Sequence, residues 1–377
     1  MSLGVYVHIP FCSSRCNYCH FVTGAFTEAT AGRYAAALLR EIEGCSGGGE
    51  RAPVDSIYFG GGTPSLVPAR LIEAAISAIG KVFAVTRDCE ISLEANPETI
   101  TARNAETYKR IGVNRISVGA QSFVDGELKA IERCHDAEAP SRALKILREA
   151  GIDNLNLDLI LGLPGQTSDS WHYTLTRAVE AAPEHVSVYM LDLDDPHAPL
   201  HQAVAVGKCS LPDDDDQAEW YLETVEFLQR HGIMQYEISN FASRGMVCRH
   251  NLKYWKREPV LGFGVGSHSY DGRMRYANVS SLSRYLELAT QGSPVEWSYP
   301  VDGISVIEES FFLGLRLNQG VDLESMRRRF GPEKLAAIEG SLAEMLESGL
   351  LERDGCFVRL TARGRLLANE VFSALLQ

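Results

Sequence analysis

Cys12, Cys16 and Cys19 stand at C-x3-C-x2-C spacing inside the run Tyr6-Val-His-Ile-Pro-Phe-Cys-Ser-Ser-Arg-Cys-Asn-Tyr-Cys-His-Phe21. Thiolates this close together on one short segment can hold three irons of a [4Fe–4S] cluster, and the fourth iron is then left without a protein ligand. Zinc is the competing metal. Structural zinc takes four closed ligands, and catalytic zinc usually takes histidine and carboxylate with a bound water, so three thiolates alone match neither pattern. His20 could complete a Cys3His set. Three unrelated buried cysteines, packing as small hydrophobes, are the alternative without chemistry.

Further polar residues fall where a ligand could use them. Gly60-Gly-Gly-Thr-Pro-Ser65 follows a strand-like run. Its glycines let the backbone approach a ligand closely and offer amides to an anionic or zwitterionic group. A tight strand-to-helix turn would use the same residues. Glu94, Gln121 and Asp158 each sit among apolar residues at the end of a strand-like run. An acid in such a place needs a partner, because a buried charge is costly unless it is paired or hydrogen-bonded.

The elements that must position these residues repeat as strand then helix. Strand-like runs lie at 6–9, 56–59, 90–93, 115–118, 155–160 and 185–191, and each is followed by a glycine-rich or polar loop and an amphipathic stretch. The stretch 33–44 carries Tyr34, Leu38, Leu39 and Ile42 at helical spacing, and 141–150 reads the same way. Six such units predict an α/β fold, a partial (β/α)6 barrel, with ligands at the C-terminal strand ends. Beyond about residue 195 the pattern fades. The acidic residues 213–216 precede a helical stretch at 217–231 and read as helix capping rather than metal binding. From 301 the chain reads as helices at 307–317, 323–330 and 332–348, a short strand at 357–360 and a last helix from 362, a small winged-helix-like unit. The expected division is a barrel over 1–195, a barrel extension over 196–300 and a helical C-terminal domain over 301–377.

Composition bounds the rest. A chain of 377 residues with 45% hydrophobic content is long enough for a large domain and smaller ones. The nine cysteines show no paired framework, and neither a signal peptide nor an 18-residue apolar run is apparent, so a cytoplasmic location is expected. A net charge of −13 disfavours nucleic acid as a partner. In residues 300–377, Arg327-Arg328-Arg329 lies among 9 basic and 12 acidic residues, which leaves no basic footprint.

The cysteine loop, Phe59-Gly-Gly-Gly-Thr-Pro-Ser65, Leu93-Glu-Ala-Asn-Pro97, Arg115-Ile-Ser-Val-Gly-Ala-Gln-Ser-Phe123, Asp158-Leu-Ile-Leu-Gly-Leu-Pro-Gly-Gln-Thr167, Tyr236-Glu-Ile-Ser-Asn-Phe-Ala242, Cys248-Arg-His-Asn-Leu-Lys-Tyr-Trp255 and Leu261-Gly-Phe-Gly-Val-Gly266 resemble successive motifs of the coproporphyrinogen oxidase-like radical S-adenosylmethionine (SAM) family. The resemblance runs along essentially the whole chain. It implies that Cys12, Cys16 and Cys19 bind the [4Fe–4S] cluster, with Tyr6 and Tyr18 beside it. SAM would chelate the open iron and be cleaved to a 5′-deoxyadenosyl radical. The family pattern further implies that Gly61, Gly62 and Thr63 hold the amino-acid end of SAM, that Glu94 and Gln121 add polar contacts, that Arg133 faces its carboxylate and that Asp158 binds its ribose. Guanidinium suits a carboxylate bidentately.

Two features separate branches of this family. The decarboxylating oxidases have a fourth cysteine where Phe21 stands, and an N-terminal extension where this chain already begins its first strand. The resemblance is therefore stronger to a haem-chaperone branch, although His20 replaces an acidic residue common there. In that branch haem would be bound cargo, passed to haem-accepting apoproteins, one of them membrane-associated. An electron donor would serve the cluster, and homodimerisation would accompany cluster binding. Arg249-His-Asn-Leu-Lys-Tyr-Trp255 resembles the branch's H-N-x-x-Y-W signature and makes His250 a candidate haem ligand. The alternative is a radical SAM oxidoreductase that abstracts hydrogen from a tetrapyrrole or another substrate.

Overall fold

Along six strands the side chains alternate between a polar inner and an apolar outer face. The strands are β1 (Leu3–Ile9), β2 (Pro53–Gly61), β3 (Ala84–Ala95), β4 (Arg115–Gln121), β5 (Asn154–Leu161) and β6 (His185–Met190). Tyr6 and His8, Ser56 and Tyr58, Ser92 and Glu94, or Asn156 and Asp158 share one face by the period of two, while Val5, Ile57, Leu93 and Leu157 are fully buried on the other. All neighbouring pairs among these six are parallel. Parallel pairing requires crossovers, here the helices α1 (Glu28–Gly44), α2 (Ala69–Val82), α3 (Ala102–Arg110), α4 (Ala139–Glu149) and α5 (Ser168–Glu180). The large core lies between those helices and the outer strand face, with Phe59, Tyr108 and Trp171 among its fully buried members. The result is the expected partial barrel, and the computed structural model describes residues 2–45 and 50–376.

The expected fading after residue 195 does not mark the end of the sheet. Both edges are extended by β7 (Met234–Glu237), β8 (Asn240–Ala242), β9 (Val260–Phe263), β10 (His268–Tyr270), β11 (Met274–Asn278) and β12 (Val295–Pro300). The twelve strands run in the order β12-β11-β10-β9-β1-β2-β3-β4-β5-β6-β8-β7. β9 is parallel to β1, whereas the other added pairs are antiparallel. These strands are three to six residues long and lack the strand-then-helix repeat of the first six; Val260–Phe263 is nonetheless an apolar run, and Val295–Pro300 alternates Val, Trp and Tyr with polar residues although it is exposed along its whole length. The helix Asp214–Arg230 precedes them, and the Asp213 side chain accepts a hydrogen bond from the Asp215 amide at its start.

Residues beyond 302 form a second core around Ile307, Phe311, Leu342, Val358 and Val371. Its three-stranded sheet joins Val321–Asp322, Leu351–Asp354 and Phe357–Leu360 beside helices Gly303–Gly314, Leu323–Phe330 and Pro332–Glu347, a winged-helix-like arrangement. It is clamped to the barrel by Glu309, whose carboxylate lies 2.6 Å from Arg257 Nε and 2.7 Å from Arg275 Nε. No helix among the described residues is long and apolar enough to cross a membrane.

Candidate cofactor site

At the C-terminal ends of β1–β5 the structure opens a cavity of about 810 Å³. Cys12, Cys16 and Cys19 all line it, as free thiols of intermediate burial. Cys12 ends a two-residue strand that pairs with Gly24–Ala25, so the loop between them is closed at its base. The Thr63 hydroxyl approaches Cys12 Sγ at 3.6 Å, and Arg133 Nη1 lies 3.7 Å from Cys16 Sγ. Burial raises the Cys12 and Cys19 thiols, and the Arg133 charge partly opposes that. Among the described residues no three His, Cys, Asp or Glu side chains converge on a single ion. Ligands to three different irons need not converge, so the donor set fits a cluster.

The glycine run is built around this loop. A Cβ on Gly62 would lie 2.8 Å from the Phe11 carbonyl oxygen and 3.0 Å from Cys12 Sγ, so only glycine fits there. The amides of Gly62 and Thr63 donate to the Ile9 and Phe11 carbonyls. The run is thus a tight strand-to-helix turn, and its Gly61, Gly62 and Thr63 amides are engaged by Glu94 and by the Ile9 and Phe11 carbonyls rather than offered to the cavity.

Glu94 accepts from the Tyr58 hydroxyl at 2.9 Å and from the Gly61 amide at 3.0 Å. Burial first, and then the Asp158 charge, push its carboxyl up to about 7, against the lowering effect of those two donors. A cationic ammonium beside it would restore the ionised form. Asp158 accepts from Ser117 at 2.9 Å and from Asn156 at 2.8 Å, and burial raises it too. Gln121 ends β4 at a positive φ of 66°, beyond a register shift against β5, which turns its side chain over Gly119. A Cβ on Gly119 would stand 2.9 Å from Gln121 Nε2 and 3.2 Å from Arg133 Nη2. Arg133 donates through Nη2 to Asn96 Oδ1 at 3.0 Å and to the Gly119 carbonyl at 2.8 Å, while its Nε has no partner. Tyr6 hydrogen-bonds His8 Nδ1 at 3.0 Å, and both Tyr6 and Tyr18 face the cavity.

Thus the structure brings the three cysteines, Tyr6, Tyr18, Gly61, Gly62, Thr63, Glu94, Gln121, Arg133 and Asp158 to one cavity. The residues that hold them were missed in the sequence: Tyr58 under Glu94, Ser117 and Asn156 under Asp158, Asn96 under Arg133, and His8 under Tyr6. All but Asn96 occupy inner-face strand positions. The polar alternation within runs read simply as apolar was the available signal.

His250 is corrected by its position. It lies in the first turn of the helix α7, Arg249–Trp255 (α6 being the helix Asp214–Arg230), which plugs the other end of the barrel. The residue is 1% exposed and does not line the cavity. Its Nδ1 is 3.0 Å from Ser56 Oγ and its Nε2 is 3.1 Å from the Tyr254 hydroxyl. Burial first, then the positive charges of Lys253 and Arg115, lower its pKa to about 3. A ring with both nitrogens engaged has no lone pair to offer a haem iron. Glu90 holds the plug by accepting from the Arg249 and His250 amides at 2.9 and 3.0 Å, and Arg115 lies fully buried beside it.

Comparison with known proteins shows the family. Residues 6–178 match the Radical SAM superfamily and residues 301–367 match the HemN C-terminal domain. The chain is 35% identical to Heme chaperone HemW of Bacillus subtilis, over 98% of both chains. It is 31% identical to Heme chaperone HemW of Escherichia coli, over 99% of this chain and 98% of that one. Among solved structures, the coproporphyrinogen III oxidase HemN of Escherichia coli, described as a radical SAM enzyme, superposes with a TM-score of 0.86 at 25% identity, over 99% of this chain and 90% of that chain. The chain belongs to the radical SAM superfamily and, within it, to the family of the proteins named heme chaperone HemW.

Proposed function

We propose that the protein is a radical SAM-type haem chaperone, which binds haem as cargo and transfers it to haem-dependent apoproteins. The observation that carries this reading is the cavity in which three free cysteines meet a carboxylate and glycine cradle under an exposed apolar rim. Near-full-length similarity to proteins named heme chaperone HemW supports it. Cys12, Cys16 and Cys19 would hold a [4Fe–4S] cluster. When bound, the cluster and SAM supply one-electron chemistry, for which the protein provides position and exclusion of water.

The chain's own residues have definite tasks in this reading. Gly61, Gly62 and Thr63 shape the floor against Cys12. Glu94 would accept from the amino end of SAM, Arg133 would meet its carboxylate and Asp158 its ribose. Tyr6, Tyr18 and Gln121 close the walls. The division at 195 and 300, a cytoplasmic location, an electron donor, a membrane-associated haem acceptor and homodimerisation belong to the same proposal.

A second reading is an oxidoreductase that abstracts hydrogen from a tetrapyrrole, and the fold shared with the oxidase HemN favours it. Phe21, where the oxidase branch has a fourth cysteine, weighs against it; it stands exposed at the cavity rim. The test is anaerobic cluster reconstitution, then a haem titration followed by absorbance alongside a coproporphyrinogen III decarboxylation assay with SAM and reductant. Stable haem binding without decarboxylation is expected. Decarboxylation without haem binding would overturn the chaperone reading.

A further inference from the structure

The cavity continues past the SAM-binding residues to the C-terminal domain, which contributes Arg316 and Asn369 to its wall. Three arginines line the cavity. Arg15 donates to the Cys19 carbonyl oxygen, and Arg133 to Asn96, Gly119 and Cys16. Among the described residues Arg316 makes no side-chain hydrogen bond, and its Nε is buried without a partner. It is held instead by ring faces. Its guanidinium carbon sits 4.4 Å from the centroid of Trp255 and 5.8 Å from that of Phe372. Its own carbonyl accepts from the Ile238 amide at 3.2 Å, which pins the backbone to the barrel.

The acid whose charge Arg316 feels most does not satisfy it. Glu237 uses Oε1 on the Ser239 amide and the Asn240 side chain, and no ion pair forms with Arg316. A guanidinium stacked on a ring keeps its hydrogen-bonding edges free for a planar anion. At the rim, Phe21, Tyr189 and Met190 are 57%, 42% and 45% exposed. Apolar rim and unsatisfied cation together suit a ligand with an apolar body and a carboxylate.

We propose that Arg316, seated on Trp255 of the H-N-x-x-Y-W signature, is the anchor for a propionate carboxylate of the tetrapyrrole cargo. This rests on the haem reading above. It gives the signature a part in cargo binding through its tryptophan, with no iron ligation by its histidine. The anchor exists only when the C-terminal domain is docked, so one wall of the cargo site belongs to that domain.

The test titrates haem and haem dimethyl ester, in which both propionates are blocked, into the cluster-loaded wild type, Arg316→Gln and Arg316→Lys, with iron content and SAM binding measured in parallel. Loss of a charge-assisted hydrogen bond should weaken haem binding about tenfold or more in R316Q, with R316K in between. The ester should bind wild type and R316Q alike, and iron and SAM should be unchanged. Equal weakening for haem and ester, or no weakening at all, would overturn the anchor while leaving the chaperone reading intact. A wild type that binds no haem would overturn both.

Discussion

The His250 ring stacks on the Tyr58 ring, with centroids 5.2 Å apart and planes 28° from parallel. Tyr58 in turn donates to Glu94 at 2.9 Å. The plug at one end of the barrel is thereby connected to the carboxylate that faces the cavity at the other, through two side chains. A change at His250 reaches the site by moving Tyr58, without any direct contact to a ligand.

His250→Ala should therefore cost stability first. The substitution removes two hydrogen bonds and a stacked ring from a fully buried place, worth about 3 kcal/mol together. Urea denaturation should show the loss, and the part of wild-type stability that His250 contributes should weaken on acidification. Unfolded histidine takes up a proton near its ordinary value of 6.5, while folded His250 resists until about 3. The unfolded state thus binds more protons between those values, so this contribution to stability falls as the pH drops from 6.5. A urea midpoint for His250→Asn that showed the same slope as wild type between pH 7 and 5 would refute this.

Glu94 carries the opposite sign. Its folded pKa of about 7 exceeds the usual 4.5, so the ligand-free native state binds the extra proton and loses this contribution to stability as pH rises from 4.5 to 7. The groups facing it are Tyr58, Asp158, Arg115 and Tyr6. A cationic ligand must meet the ionised form. SAM affinity should accordingly fall about tenfold between pH 8 and pH 6, with proton release on binding near neutrality. Calorimetry in buffers of different ionisation enthalpy checks this, and Glu94→Gln should bind weakly with no such dependence.

Cys16→Ala should abolish cluster absorbance and lower iron content after anaerobic reconstitution, without changing the fold by circular dichroism. Gly62→Ala is the subtler probe. Its Cβ would press on Phe11 O and Cys12 Sγ, so the iron content should fall although all three cysteines remain. Full iron retention in Cys16→Ala would remove the cluster assignment.

Glu309→Ala should loosen the C-terminal domain. The residue bridges Arg257 and Arg275, and Arg257 is nearly fully buried, so removing the acid leaves a charge uncompensated at a cost of about 3 kcal/mol. Limited proteolysis should cut near residue 302 faster in the variant. If Arg316 anchors cargo, haem binding should weaken in parallel while SAM binding persists.

What the amino-acid order determined by itself is whatever depends on neighbours along the chain. C-x3-C-x2-C spacing is local, so three thiols on one loop follow directly. The strand and helix periods are local as well, and the parallel barrel follows from their alternation with few topologies open. Glu94, Gln121 and Asp158 were legible because strand ends in such a barrel share one rim.

Tertiary structure alone decided which side chains meet across the barrel. His250 looked like an available imidazole, yet it is spent on Ser56 and Tyr254, and Ser56 lies 194 residues away. Trp255 gave no sign of its partner until the C-terminal domain set Arg316 over its face. The added strands β7–β12 are three to six residues long and hold their places by pairing, so the apolar run of Val260–Phe263 and the alternation of Val295–Pro300 were too short to announce the extended sheet. Long-range packing selects among the contacts that each residue type permits, and a linear reading contains only the permissions.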